Sequence, residues 1–292
     1  MVKKKKRTNL SKGSRYQEIK QARAKQKRIK TALISTAAAL AVALVAVLIF
    51  INVNEESKDD PTSAKYSETL SQLQNVQNPK NTTSDGGIVM AKKDETASIN
   101  SNIPTVEVFF DPICPACGSF EQTFGEELKK LFEDGKINYI IRPVAIMDVN
   151  STTDYAVDKY STRAASAVAY VANYENDKVL DFIAALLSAE NQPPEVGYQA
   201  ITEEFFYKIA TEAECSSEVI SSINNTMFTP WVDIVTQAFR FGEQYYSDNN
   251  GTKVISTPQV WVSGTRVDPS VVIEAIEEIQ AQIDAQNGTA SN

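Results

Sequence analysis

From Thr31 to Val53 the chain runs 23 residues without a charge, TALISTAAALAVALVAVLIFINV. As a helix rising about 1.5 Å per residue, this stretch reaches roughly 35 Å, enough to cross a hydrocarbon core of about 30 Å. A helix buried in a water-soluble domain is usually shorter and keeps a polar stripe, which this run lacks. It therefore reads as one transmembrane helix. A cleaved export signal has a similar apolar region. The long basic segment ahead of the run, its length, and the lack of a small-x-small site just past Phe50 favour an uncleaved anchor.

Charge distribution gives the orientation. Residues 1–30 carry 13 Lys and Arg against the single acid Glu18, a net of +12, which leaves −20 on residues 31–292 for a chain of net −8. Basic residues are retained on the cytoplasmic side, so residues 1–30 read as a cytoplasmic arm and residues from about 54 onward as extracytoplasmic. The clusters KKKKR and KQKRIK could be read as a nucleic-acid patch. Their fusion to a spanning helix makes a topology signal, with contacts to anionic lipid, the better use, and no nucleic-acid partner is expected.

Residues 54–85 are rich in Ser, Thr, Asn and Asp, with no sustained apolar period beyond a short stretch near Leu70 to Val76, and read as a polar linker. The folded domain is expected over 86–292. TVEVFF (105–110) has the composition of a strand. Behind it a helical period of Phe120, Phe124, Leu128, Leu131 and Phe132 runs to about Asp134, closed by Gly135, and INYIIRPV (137–144) is a second strand. Strand, helix and strand within about 40 residues have the size of a βαβ unit with a parallel pair. The span from about 150 to 250 then looks almost wholly helical, β structure returns in KVIS and PQVWVSG (253–264), and PSVVIEAIEEIQAQIDAQ closes the chain as a helix. The fold class is α/β, with a large helical insertion inside the frame.

The chain has three cysteines and no histidine. Structural zinc needs four ligands, and the third thiol, Cys215, stands 98 residues beyond Cys117, so no metal site is expected. Covalent haem attachment needs His after the second cysteine of a CxxC pair, where Gly118 stands. A purely structural Cys114–Cys117 bridge would close too small a loop to stabilise much. The remaining reading is redox chemistry. Cys114 falls at a helix start with Pro115 suited to the first turn, and the free N–H groups and dipole there favour thiolate. Cys114 is the expected nucleophile and Cys117, one turn in, the thiol that resolves a mixed disulfide. Cys215 reads as a buried apolar residue or as a free or intermolecular thiol.

VEVFFDPICPAC resembles the active-site strand and motif of the DsbA-like branch of the thioredoxin superfamily, and the helical block resembles that branch's insertion. The resemblance covers about residues 86–285. It implies a thioredoxin-like fold, catalysis by Cys114 and Cys117 with Pro115 and Ala116 completing the active-site loop, and no cofactor beyond their redox-active disulfide. It also implies that Thr257-Pro258, in VISTPQVWV, forms a cis-proline loop facing the motif, whose backbone pairs with extended substrate. The expected partners are exported client proteins with free thiols and a membrane redox partner similar to DsbB or to vitamin K epoxide reductase-like proteins.

Three functions stay open: an oxidase forming disulfides in exported proteins, a reductase or isomerase kept reduced across the membrane, and a surface adaptor with an incidental disulfide. Related CxxC proteins span about −270 to −120 mV, and Pro-Ala in place of Pro-His points to a less oxidising member. Many thioredoxin-like proteins carry an acid six residues before the first cysteine. Here Val108 holds that place, and Glu107 points to the opposite face of the strand. The region under Cys117 is then more apolar, so its thiolate costs more to form.

Overall fold

The structure, a computed structural model, describes residues 61–149, 152–249 and 252–290. The basic arm, the Thr31–Val53 run and the first residues of the polar segment lie outside the described residues. Among the described residues no helix is long and apolar enough to cross a membrane.

A five-stranded sheet forms the frame. Strands β1 (Ile88–Val89), β2 (Thr105–Phe110), β3 (Asn138–Pro143), β6 (Gln259–Val262) and β7 (Thr265–Val267) lie in the order β1-β3-β2-β6-β7. β2 and β3 pair in parallel, Val108 opposite Ile141, as the expected βαβ unit requires. β6 pairs antiparallel to β2, Val108 opposite Val260, so the two β portions of the sequence meet at the central strand. β2 reads half-buried and buried in turn up to Val108 and is buried through Phe110, the pattern of a strand covered on both faces toward its C-terminal end.

Helix α2 (Pro115–Phe120) follows β2, passes through a π-helical turn at Glu121–Gly125, and continues as α3 (Glu126–Glu133). The insertion holds α4 (Asp154–Val157), α5 (Tyr160–Tyr174), α6 (Val179–Leu186), α7 (Glu203–Glu212), α8 (Ser217–Ser222) and α9 (Thr229–Phe241). Its centre is α5, where Ala164, Ala165, Ala167, Val168, Ala169, Val171 and Ala172 are all at most 1% exposed. Alanines on every side let neighbouring helices approach closely. Helix α10 (Val272–Ala290) closes the fold and contacts β6.

Ahead of Gly86, where a polar linker is expected, the described residues from 61 onward carry packed structure. Helix α1 (Pro61–Ser71) and the 3₁₀ turn Gln72–Asn75 pack against α9, burying Leu73 and Thr69. The Tyr66 ring meets Tyr245 edge-on at 6.3 Å, and the ammonium of Lys65 lies 5.8 Å from the Phe241 ring. Only a narrow stripe of α1 is apolar, so the sequence looked like linker. The β structure expected at KVIS is present as Thr252–Val254 (β5), which pairs with Ser247–Asn249 (β4) in a separate small hairpin with the residues of β5 exposed, while β7 takes the sheet-edge position.

Candidate functional site

At the end of β2 the chain breaks into Asp111-Pro112-Ile113 and delivers Cys114 to the N-cap of α2, with extended backbone at φ −67° and ψ 118°. Proline at the first helical position has no N–H to leave unpaired. The Cys114 carbonyl accepts the N–H groups of Cys117 (3.0 Å) and Gly118 (3.2 Å), which closes the first turn. Pro115 and Ala116 are exposed, Cys114 is half-buried, and Cys117 is 1% exposed. Both motif cysteines are free thiols.

The two sulfurs differ in acidity. Cys114 is lowered to about 6, first by a hydrogen bond from the Cys117 thiol, then, against a burial penalty, by the Thr257 side chain and the backbone N–H groups of Cys117 and Ala116. Cys117 lies well above the ordinary thiol value, first because it is buried and then because it faces Cys114. One thiol is therefore prepared to attack from outside, and the other to hold its proton until called on.

The Thr257–Pro258 peptide bond is cis, and its loop faces the motif: the Cys114 thiol donates to the Thr257 carbonyl at 3.4 Å. That carbonyl can accept only from the protonated thiol. Ionisation gives up this bond and leaves the thiolate to the Cys117 thiol, the Thr257 side chain and the helix N–H groups. Cys114, Cys117, Thr257 and Pro258 thus form one cluster. Cys215 is buried at the junction of α7 and α8, and burial followed by the Glu175 charge raises its thiol to about 12, so it stays protonated and unreactive.

Two residues that hold the loop were not singled out from the sequence. Asp111 is fully buried; its carboxylate accepts the N–H of Ile113 (3.2 Å), the N–H of Met147 (3.0 Å) and the hydroxyl of Ser161. Burial raises it to about 7 despite these bonds. Gln192 reaches from the loop after α6 and donates to the carbonyls of Pro112 (3.0 Å) and Cys114 (2.9 Å). The irregular DPI and the breaker NQPP were visible in the sequence, but nothing in either placed its polar side chain against the other.

The strand departure falls as its alternation requires. Val108 is buried on the Cys117 side, and Glu107 points the other way, paired to Arg142 at 2.7 Å.

The family model described as Thioredoxin matches residues 100–285. The chain belongs to the thioredoxin family. Among solved structures, this thioredoxin-family chain is 30% identical to oxidised DsbA of Mycobacterium tuberculosis, covering 72% of this chain and 97% of that one, with a TM-score of 0.51. It is 29% identical to the reduced disulfide bond oxidoreductase DsbG of the same organism, over 72% and 92%, with a TM-score of 0.52. The MdbA thiol-disulfide oxidoreductase of Corynebacterium diphtheriae shares the fold at 20% identity, over 67% and 91%, with a TM-score of 0.52. A stretch of 122 residues, 41% of this chain, is 27% identical to the serine/threonine-protein kinase PknE of Mycobacterium tuberculosis, and the chain spans about a fifth (21%) of that protein's length. Like its DsbA neighbours, this thioredoxin-family chain is a protein thiol–disulfide oxidoreductase.

Proposed function

We propose that the enzyme forms disulfide bonds in exported proteins while anchored to the membrane by Thr31–Val53, its N-terminus cytoplasmic and its catalytic domain outside. The observation that carries the oxidase direction is the acidity of Cys114 beside a Cys117 that keeps its proton. A nucleophilic cysteine held as thiolate at neutral pH stabilises the dithiol relative to the disulfide and makes the disulfide a better oxidant. At about 6, Cys114 lies between the thioredoxin and DsbA nucleophiles, near 7 and 3.5, which fits a moderately oxidising enzyme.

The cycle balances in two exchanges. A client thiolate attacks Cys114 Sγ, breaking the Cys114–Cys117 bond, and Cys117 leaves with its electron pair and takes up a proton. The client's second thiolate then attacks its own sulfur in the mixed disulfide and releases Cys114 as thiolate. The client gains a disulfide and the enzyme becomes a dithiol. A membrane partner of the quinone-linked, DsbB-like or vitamin K epoxide reductase-like kind re-oxidises it. The backbone at Thr257 and Pro258 receives the extended client, as strand addition independent of client sequence.

Three measurements test this reading. Cys114→Ser should abolish thiol oxidation, and Cys117→Ser should accumulate mixed disulfides on non-reducing gels; adducts with Cys114→Ser instead would overturn the assignment. Equilibration with glutathione should give a potential above that of thioredoxin, about −270 mV; a value at or below it would make the enzyme a reductase. Protease added outside intact cells should release the domain, and a protected domain would refute the topology.

A further inference from the structure

Cys117 is sealed in an apolar setting that keeps it protonated, yet each exchange at Cys114 makes or consumes its thiolate. Its proton needs a carrier. Cys117 borders a void of about 10 Å³ whose lining includes Val108, Tyr139, Leu187 and Glu121. Glu121 is the only carboxyl in that lining, and the void has room for about one water molecule. Glu121 also lines a wider cavity of about 420 Å³, with Gln122, Lys129 and Ser188. Its carboxyl is therefore shared by the void beside the sealed thiol and the larger cavity.

Two features of the helix put it there. Glu121 follows Cys117 by four residues, the spacing that stacks side chains on one helical face. The π turn begins at Glu121, and a Cβ added at Gly125 would lie 2.2 Å from Glu121 Oε1, so a side chain there would displace the carboxyl from this position. Single π turns inside α-helices recur at functional sites.

We propose that Glu121 is the proton carrier for Cys117, exchanging a proton with its thiol across the small void and with solvent through the wider cavity. When a client thiolate opens the Cys114–Cys117 bond, the departing Cys117 thiolate takes the proton of the Glu121 carboxyl. In the reverse step Cys117 gives its proton to the Glu121 carboxylate, its sulfur bonds Cys114 Sγ, and the client leaves as thiolate. This assignment rests on the roles given to Cys114 and Cys117 above. Burial raises the Glu121 carboxyl to about 7, so both of its forms are populated near neutrality. The titratable groups that share the wider cavity with it are Tyr139 from β3, Glu126 and Lys129 from α3 and Asp181 from α6, with Lys129 paired to Asp181 and Glu133. Asp111 does not line the void, and its carboxylate is taken up by Ile113, Met147 and Ser161.

The test uses the full chain carrying a 2-nitro-5-thiobenzoate mixed disulfide on Cys114, formed at pH 4 and jumped in a stopped-flow instrument to pH 5–9. Thiobenzoate release reports the attack by Cys117. Glu121→Gln should slow release at pH 7 by roughly ten- to a hundredfold, at the lower end of general-base effects because water substitutes in part. It should also move the midpoint of the rate profile upward. Val108→Glu added to Glu121→Gln places a carboxyl on another wall of the same void and should recover most of the rate. The idea is overturned if Glu121→Gln superimposes on wild type, if it slows release equally at every pH with an unmoved midpoint, or if a double variant of unchanged thermal midpoint stays as slow as the single one. If Cys117→Ser releases thiobenzoate as fast as wild type, the underlying assignment of the two cysteines fails instead.

Discussion

The side-chain amide of Gln192 donates to the main-chain carbonyl of Cys114 at 2.9 Å, although 78 residues separate them. With the second bond to Pro112, one residue of the helical insertion fastens the loop that presents the nucleophile. Gly118 completes the fit, because a Cβ there would lie 2.1 Å from Gln192 Oε1. Gln192→Ala removes both bonds, and Gly118→Ala pushes the same amide away. Each should lower the stability of the reduced enzyme by about 1–2 kcal/mol in urea unfolding. Because the two changes act on one contact, the double variant should lose clearly less than the sum. Strict additivity would show that the amide does not hold the loop.

The acidity of Cys114 predicts how stability varies with pH. Its pKa falls from 9.0 to about 6 on folding, so the stabilisation is fully present above pH 9, shrinks as pH falls, and is gone below about 6. Cys117 is raised, so its opposing effect begins only above about pH 9. In the disulfide neither thiol titrates. The reduced enzyme should therefore gain stability relative to the oxidised one as pH rises from 6 to 9, read from paired thermal melts, and Cys114→Ser should flatten the reduced profile. Thiolate absorbance at 240 nm should rise with a midpoint near pH 6 in wild type.

Much of this site was legible because its parts are local. CPAC behind TVEVFF gives a strand, a helix start and two thiols one turn apart, and Thr-Pro before QVWV gives the second loop. The frame was legible for the same reason: β2, β3 and α5 each carry their own periodicity. Contacts that join distant segments were not legible. Gln192, Asp111 and Glu121 look like ordinary polar residues until packing brings them to the motif, and a helical period cannot reveal that Glu121 opens a π turn. Val254 has strand-like neighbours, but Thr252–Val254 pairs locally with Ser247–Asn249 and not with the sheet.

Arg142 is a residue whose loss the fold should not tolerate well. Its guanidinium binds Glu107 at 2.7 Å and Asp85 at 3.0 Å, lies 5.1 Å from the Phe109 ring, and leaves the side chain only 9% exposed. Arg142→Met would leave two half-covered carboxylates without a counter-charge. The expected cost is about 2–3 kcal/mol, somewhat under that of breaking a fully buried pair because both acids keep some solvent. Burial alone would raise Asp85, but Arg142 together with hydrogen bonds from Thr83 and the backbone outweighs it, so its carboxyl is held below the ordinary value. The stability it contributes is present above about pH 4 and is lost as pH falls through its lowered pKa. Urea midpoints of variant and wild type should therefore differ at pH 7 and converge at the acid end.

The packed segment ahead of Gly86 gives the last test. If residues 54–85 were only linker, a chain beginning at Gly86 would be as stable as one beginning at residue 60. The structure places Leu73 at 5% exposure, with Leu70 half-covered beside it. A Cβ built on Gly86 would lie 3.6 Å from Leu73 Cδ1 and 2.4 Å from Val235 Cγ1, so α9 meets this segment closely. Gly86 itself sits at φ +86°, where a side chain would be strained even with space available. Covering one Leu-sized side chain contributes about 1.5–3 kcal/mol, so removing α1 and its 3₁₀ turn should cost on the order of 4 kcal/mol, and the cut at Gly86 adds the loss of Asp85 from Arg142. That is a large part of the 5–15 kcal/mol that holds a typical domain together. The chain starting at Gly86 should melt well below the one starting at residue 60 and should bind a dye for exposed apolar surface through the uncovered side of α9. Leu73→Ala in the longer chain should reproduce part of the loss, about 2–3 kcal/mol. Equal melting of the two chains would return residues 61–75 to the status of a linker.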